Sequence, residues 1–125
     1  MTSFAPAVKR GDVILLPIAF VSGKSGFKVR PAVVVQNDRL NSLLQSTVVA
    51  IITSTNTRSG VEPTQLLIEI STVDGQLTGL LHDSTVKCEH LDTVDRQDIH
   101  RVIGHVSDSL MHQIERCLKA ALDLK

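Results

Sequence analysis

Six short apolar runs follow one another along this chain, none longer than eight residues and all separated by turn residues: Asp12 to Pro17, Ala32 to Gln36, Thr47 to Thr53, Gln65 to Ile70, Ser84 to Leu91 and Arg101 to Val106. Runs this brief at near-regular spacing read as strands of a small β-barrel. Ala32 to Gln36 is β-branched and apolar on both sides, which predicts a central strand. In the third run, period-two alternation puts Thr47, Val49, Ile51 and Thr53 on one face. The chain then changes period. Ser107 or Asp108 supplies an N-cap, and Leu110, Met111, Ile114, Leu118, Ala121 and Leu122 make the apolar stripe of one C-terminal helix. The expected architecture is mainly β with a C-terminal α-helix.

The connections carry turn chemistry. Gly23 and Gly26 interrupt a loop from Val21 to Lys28. Asn37 and Asp38 precede a helical turn around Leu40 to Leu44, and Ser54 to Thr64 is a polar loop. Gly75 and Gly79 mark a turn, Asp95 to Asp98 another, and Met1 to Val8 has no pattern and reads as a loose arm. At 125 residues the chain is expected to form a single domain, 1–125.

Thirteen basic and thirteen acidic residues leave a net charge of zero, which argues against a protein that coats nucleic acid through a global positive field. A local basic groove stays open, with Lys24, Lys28, Arg30, Arg39, Arg58 and Lys87 as its candidates. There is no Trp or Tyr, so Phe27 is the one loop residue available for base stacking. No run approaches the ~20 residues of a membrane span, and the N-terminus lacks a signal-peptide layout, so a cytoplasmic protein is expected. Cys88 and Cys117 are then reduced thiols rather than a disulfide.

Arg30-Pro31 draws chemical interest. Proline lacks a ladder donor, which predicts Pro31 at the first residue of a strand or on an edge, with Arg30 at the strand mouth beside Lys24 and Lys28. A guanidinium held there suits a phosphate, while a surface ion pair is the plainer reading.

Three segments in order, Lys9-Arg10-Gly11-Asp12-Val13, Val29-Arg30-Pro31 continuing to Asp38, and Ala50-Ile51-Ile52-Thr53-Ser54, resemble the MazF/PemK family of toxin ribonucleases. The similarity runs on to the C-terminal helix, from about Val8 to Leu124. The resemblance implies a compact SH3-like barrel with a terminal helix. It also implies metal-independent, sequence-selective cleavage of single-stranded RNA without a cofactor, by 2′-hydroxyl attack, leaving 2′,3′-cyclic phosphate and 5′-hydroxyl ends. Arg30 would be the catalytic arginine of the RP motif, and Thr53 would orient the reacting groups. Lys87-Cys88-Glu89 stands where PemK-type relatives have an Arg-Cys-Asp-like triplet, making Lys87 and Glu89 an acid–base pair or a plain cross-strand salt bridge. RNA contacts are expected from Lys24, Phe27, Lys28, Ser54, Asn56 and Arg58. The implied partners are a second copy in a homodimer and a small DNA-binding antitoxin whose disordered C-terminal segment folds onto the RNA groove.

Rival readings have weaker support. The histidines His82, His90, His100, His105 and His112 show no zinc-ligand spacing with Cys or carboxylates. The glycines near Lys24 lack P-loop spacing. A CcdB-like gyrase poison shares the general fold but grips its target through a Trp-bearing tail, and this chain ends Leu122-Asp123-Leu124-Lys125 without tryptophan. An inactive relative kept for antitoxin binding is disfavoured by Arg30 and Thr53, though the altered Lys87–Glu89 pair keeps it open.

Overall fold

A computed structural model describes residues 6–19, 27–54 and 62–125. Strands β1 (Asp12–Ala19), β2 (Phe27–Val34), β3 (Ser46–Ser54), β4 (Gln65–Ile68), β5 (Ser84–Asp95) and β6 (Arg101–His105) form one sheet in the order β4-β5-β3-β2-β1-β6. Every pairing is antiparallel, and the sheet curls into a half-barrel whose edges, β4 and β6, do not pair with each other. Helices α1 (Asp38–Leu43), α2 (Val73–Leu77) and α3 (Asp108–Leu122) and a 3-10 turn at Arg96–Asp98 complete the described elements.

The first hairpin corrects the expected position of Pro31. β2 starts at Phe27, so Phe27 and Lys28 are strand residues rather than loop residues, and Arg30 and Pro31 lie inside the strand. Pairing with β1, from Ala19↔Phe27 to Val13↔Val33, supplies partners that the local pattern did not reveal. Proline is tolerated there because of hydrogen-bond parity. The Val34 carbonyl accepts from Gly11 N–H on the β1 side, and Val35 N–H donates to Val48 O on the β3 side. By alternation the Pro31 nitrogen faces β3, but the β2–β3 ladder begins only at Ala32. The β2–β3 ladder therefore stops beside the residue that has no N–H to extend it.

The Lys9-Arg10-Gly11-Asp12 segment is a structural corner. Gly11 has φ +96°, a left-handed conformation that glycine takes without steric cost. Its carbonyl accepts from Val106 N–H, joining the turn to the end of β6. Arg10 N–H donates to Asp38 Oδ1 (2.7 Å) at the start of α1, and its guanidinium donates to Val35 O and to Glu115 Oε2 (2.9 Å) on α3. The bond from Arg10 N–H holds the Asp38 carboxyl below its ordinary range.

Two apolar clusters lie on opposite faces of the sheet. Val13, Val33, Ala50, Ile52, Ile68, Val86 and Cys88 pack against Leu110, Ile114 and Cys117 of α3. On the other face Ile14, Leu16, Ala32, Val34 and Val49 gather beneath Val8 and Ile99. Val8, expected in a loose arm, is therefore buried (6% exposed), because it caps this second cluster. Within α3, Ser107 caps Leu110 N–H as expected, but Leu122 is 52% exposed and Cys117 takes the inner position. The thiols of Cys88 and Cys117 are free, and burial pushes Cys88 up to about 12. Helix α2 replaces the expected turn at Gly75, with the Thr72 hydroxyl accepting from Gly75 N–H (2.9 Å).

Candidate active site

Strand register assembles the site. The β2–β3 pairs Ala32↔Ile51, Val33↔Ala50 and Val34↔Val49 put Arg30, two residues before Ala32, and Thr53, two residues after Ile51, on the same face just beyond the paired ladder. Arg30 pairs with Leu16 in β1, and Thr53 pairs with Thr85 in β5. Directly opposed residues share a face, so Thr53 and Thr85 form one row, with Arg30 on the same face of the sheet. The next row holds Ala32, Ile51, Lys87 and Gln65, roughly 7 Å away. Arg30, Thr53 and Lys87 are all half-buried, and among the described residues neither cation forms an ion pair.

Glu89 leaves this arrangement. The β3–β5 register jumps from Ala50↔Leu91 to Ile51↔Lys87, so Cys88, Glu89 and His90 bulge out without partners in β3. The Glu89 carboxylate accepts from Thr64 Oγ1 (2.9 Å) and Gln65 Nε2 (2.6 Å) instead. Partial burial pushes its carboxyl up. The bonds from Gln65, its own backbone N–H and Thr64, with His90 nearby, outweigh that and hold it below the ordinary range. Val86 and Cys88 still face α3 together, so Lys87 and Glu89 keep a common face, where Gln65, the β4 partner of Lys87, also holds the Glu89 carboxylate; the two charged side chains form no salt bridge with each other.

Beside Arg30 a cleft of about 750 Å³ opens between β1, β2, β6 and the segment following α2. Lys28, Arg30, His82, Arg101, Ser54 and Ser84 are its polar lining residues, and among the described residues no carboxylate lines it. Lys28 and Arg30 lie on one face of the sheet, while Arg101, opposite Leu15, borders the cleft from the other face. The rim at residues 79–84 is firmly attached. Gly79 has φ +74° and lies against the Ile103 carbonyl, where a Cβ would collide. Asp83 Oδ1 accepts from Ile70 N–H, and Ser84 Oγ donates to His82 O (2.7 Å).

The expected residues divide accordingly. Arg30, Thr53 and Lys87 share one face, and Arg30, Lys28 and Ser54 line the cleft. Lys24, Asn56 and Arg58 lie outside the described residues. Arg39 is not part of the gathering, since α1 adjoins the start of β3 and Thr53 lies near its end, about 25 Å along the strand. Arg101 and His82 enter unanticipated. Arg101 arrives by pairing with Leu15, a contact across most of the chain that leaves no local signal. Among the described residues no three His, Cys, Asp or Glu side chains cluster as metal ligands.

Comparison with known proteins agrees with this layout. The family described as PemK-like, MazF-like toxin of type II toxin–antitoxin system matches residues 9–122. The chain is 32% identical over 117 residues to endoribonuclease EndoA of Bacillus subtilis, covering 94% of this chain and 96% of the relative. It is 30% identical, over 94% of this chain and 98% of the relative, to endoribonuclease MazF6 of Mycobacterium tuberculosis. A mycobacterial endoribonuclease solved with its cognate antitoxin has the same fold (TM-score 0.73, 21% identity, 95% of this chain and 98% of that one). So does a structure of MazE–MazF from Deinococcus radiodurans (TM-score 0.70, 16% identity, 96% and 100%). With its motif residues Arg30 and Thr53 on one face of this fold's sheet, the chain belongs to the PemK-like, MazF-like family of type II toxin–antitoxin toxins.

Proposed function

We propose that this chain is the endoribonuclease toxin of its toxin–antitoxin pair, cutting single-stranded RNA with Arg30 and Thr53 at the scissile phosphate. The observation that carries the reading is that Arg30 and Thr53 share one face of the sheet, at the end where a cleft opens that no carboxylate among the described residues lines. The 2′-oxygen bonds to phosphorus as the bond from phosphorus to the 5′-oxygen breaks. The 2′-hydroxyl gives up a proton, and the leaving oxygen gains one. The guanidinium neutralises charge building on the non-bridging oxygens, for which its planar fork is suited. The Thr53 hydroxyl orients the phosphate. Lys28 and Lys87, on the same face as Arg30, attract and align the flanking backbone, and the products are a 2′,3′-cyclic phosphate and a 5′-hydroxyl. Its setting is the cytoplasm, as a homodimer held in check by a cognate antitoxin. The antitoxin complexes of its structural neighbours support that partner. No helix among the described residues is long and apolar enough to cross a membrane.

Primer extension on a long RNA tests the activity, with discrete cleavage sites expected. Because every group invoked belongs to the protein, cleavage in excess chelator should match cleavage without it. Activity abolished by chelator and restored by magnesium would overturn the mechanism.

Glu89 is assigned as a structural acceptor rather than the base. Two neighbours occupy its carboxylate, and its lowered pKa makes it a weaker proton acceptor. Glu89→Gln is expected to cleave within about threefold of the parent rate. A loss of two orders of magnitude with RNA binding retained would return Glu89 to the base role.

A further inference from the structure

The buried hydroxyls of the described residues are Thr47, Thr78, Ser84 and Thr85. Thr47 donates to Asn41 Oδ1 (2.7 Å), Thr78 to Gly75 O (2.5 Å) and Ser84 to His82 O (2.7 Å). Thr85, 2% exposed, is the exception, because its Oγ1 has no hydrogen-bond partner. An unmet buried hydroxyl carries a desolvation penalty, and an apolar side chain of the same shape would avoid it. Val86, the next residue on β5, shows that the strand accepts valine. Packing alone therefore gives no reason for a hydroxyl at Thr85. Its location does. Thr85 is the direct cross-strand partner of Thr53, on the face of the sheet that also carries Arg30.

We infer that Thr85 is a positioning residue for RNA cleavage, holding the Thr53 hydroxyl through a threonine–threonine hydrogen bond across the β3–β5 ladder. This rests on the assignment of Arg30 and Thr53 above. Opposed side chains have Cβ atoms about 4.5–5.5 Å apart, so rotation about χ1 brings the two hydroxyls into bonding range. Thr85 O–H then donates to Thr53 Oγ1. That bond occupies a Thr53 lone pair on the β5 side and leaves the Thr53 O–H to donate toward β2, where Arg30 holds the phosphate. A hydroxyl that is already accepting a bond is polarised and donates more strongly. Thr85 itself is too buried to touch RNA and acts only through Thr53.

The test compares Thr85→Val and Thr85→Ser in the full chain, alone and with Thr53→Val, by single-turnover cleavage, half-saturating RNA concentration and thermal melting. Thr85→Val is expected to lower the rate at saturating RNA by about tenfold with half-saturation unchanged, since the lost contact acts on the reacting complex and not on binding. Its melting temperature should stay close to the parent's, because losing one side-chain hydrogen bond is offset by removing a buried hydroxyl. Thr85→Ser should keep the rate within about threefold of the parent, and the double variant Thr53→Val/Thr85→Val should be no slower than Thr53→Val alone. The inference is overturned by a parental rate in Thr85→Val, by Thr85→Ser falling as far as Thr85→Val, or by a further loss in the double variant. Thr53→Val cleaving at the parental rate would instead refute the assignment of Thr53, and the inference with it.

Discussion

Arg30→Ala is expected to slow single-turnover cleavage by about 10²–10³-fold, the loss typical when one preorganised donor to a developing oxyanion is removed. Arg30 shares a face with Thr53 and lines a cleft without carboxylates among the described residues, so no described acid already absorbs its charge. Lys28 and Arg101 also line the cleft, but an ammonium cannot reproduce two parallel hydrogen bonds, and Arg101 sits on β6 with β1 between it and β2. Arg30→Lys should therefore recover only part of the rate. Folding should survive, since the side chain is half-buried and has no ion-pair partner among the described residues, so melting should shift by about 1 kcal/mol or less. The two measurements belong on one sample. A well-folded Arg30→Ala protein that still cuts at the parental rate would remove Arg30 from the chemistry.

The second large effect concerns stability. Ile114 is fully buried on the inner face of α3, within the cluster that joins the helix to Val86 and Cys88 of β5. Ile114→Asp forces either an unpaired carboxylate into that seam or a displacement of the helix. A cost on the order of 4 kcal/mol follows, lowering Tm by roughly 10–20 °C for a chain this size. Leu122→Asp provides the internal contrast. Leu122 lies in the same sequence stripe but is 52% exposed, so its replacement should cost within about 0.5 kcal/mol. Equal losses at the two positions would show that the helix lies on the sheet differently from the packing described above.

That contrast also shows how far the sequence could be read. Leu110, Ile114, Leu118 and Leu122 read as one stripe, but each step of four residues turns about 40° round the helix. Ala121 still packs against the core in the last turn, and Leu122, turned farthest from Leu110, is exposed. Arg30 and Thr53 could be singled out because each stands in a short motif resembling a known family. The Lys9 to Asp12 motif was equally visible, but its structural task could not be read, because its partners Val34, Asp38, Val106 and Glu115 are spread along the chain. Arg101 and His82 carried no signal at all, since each reaches the cleft through contacts distant in sequence.

Local spacing determined the elements themselves. The alternation of Thr47 to Thr53, the Ser107 cap and the period of α3 depend on neighbours a few residues apart, and the physics of such short distances is written directly in residue order. Tertiary structure decided the pairing. Antiparallel register is set by hydrogen bonds between strands and by which faces must be buried, and a bulge of three residues in β5 was enough to leave Glu89 without a partner in β3. The same register aligned Thr53 with Thr85 and set Arg30 on their face, and the pairing of β2 with β3 stops beside Pro31, which has no N–H to extend it. The chain's sequence named the chemical groups, and the long-range pairing of its strands determined which of them stand together.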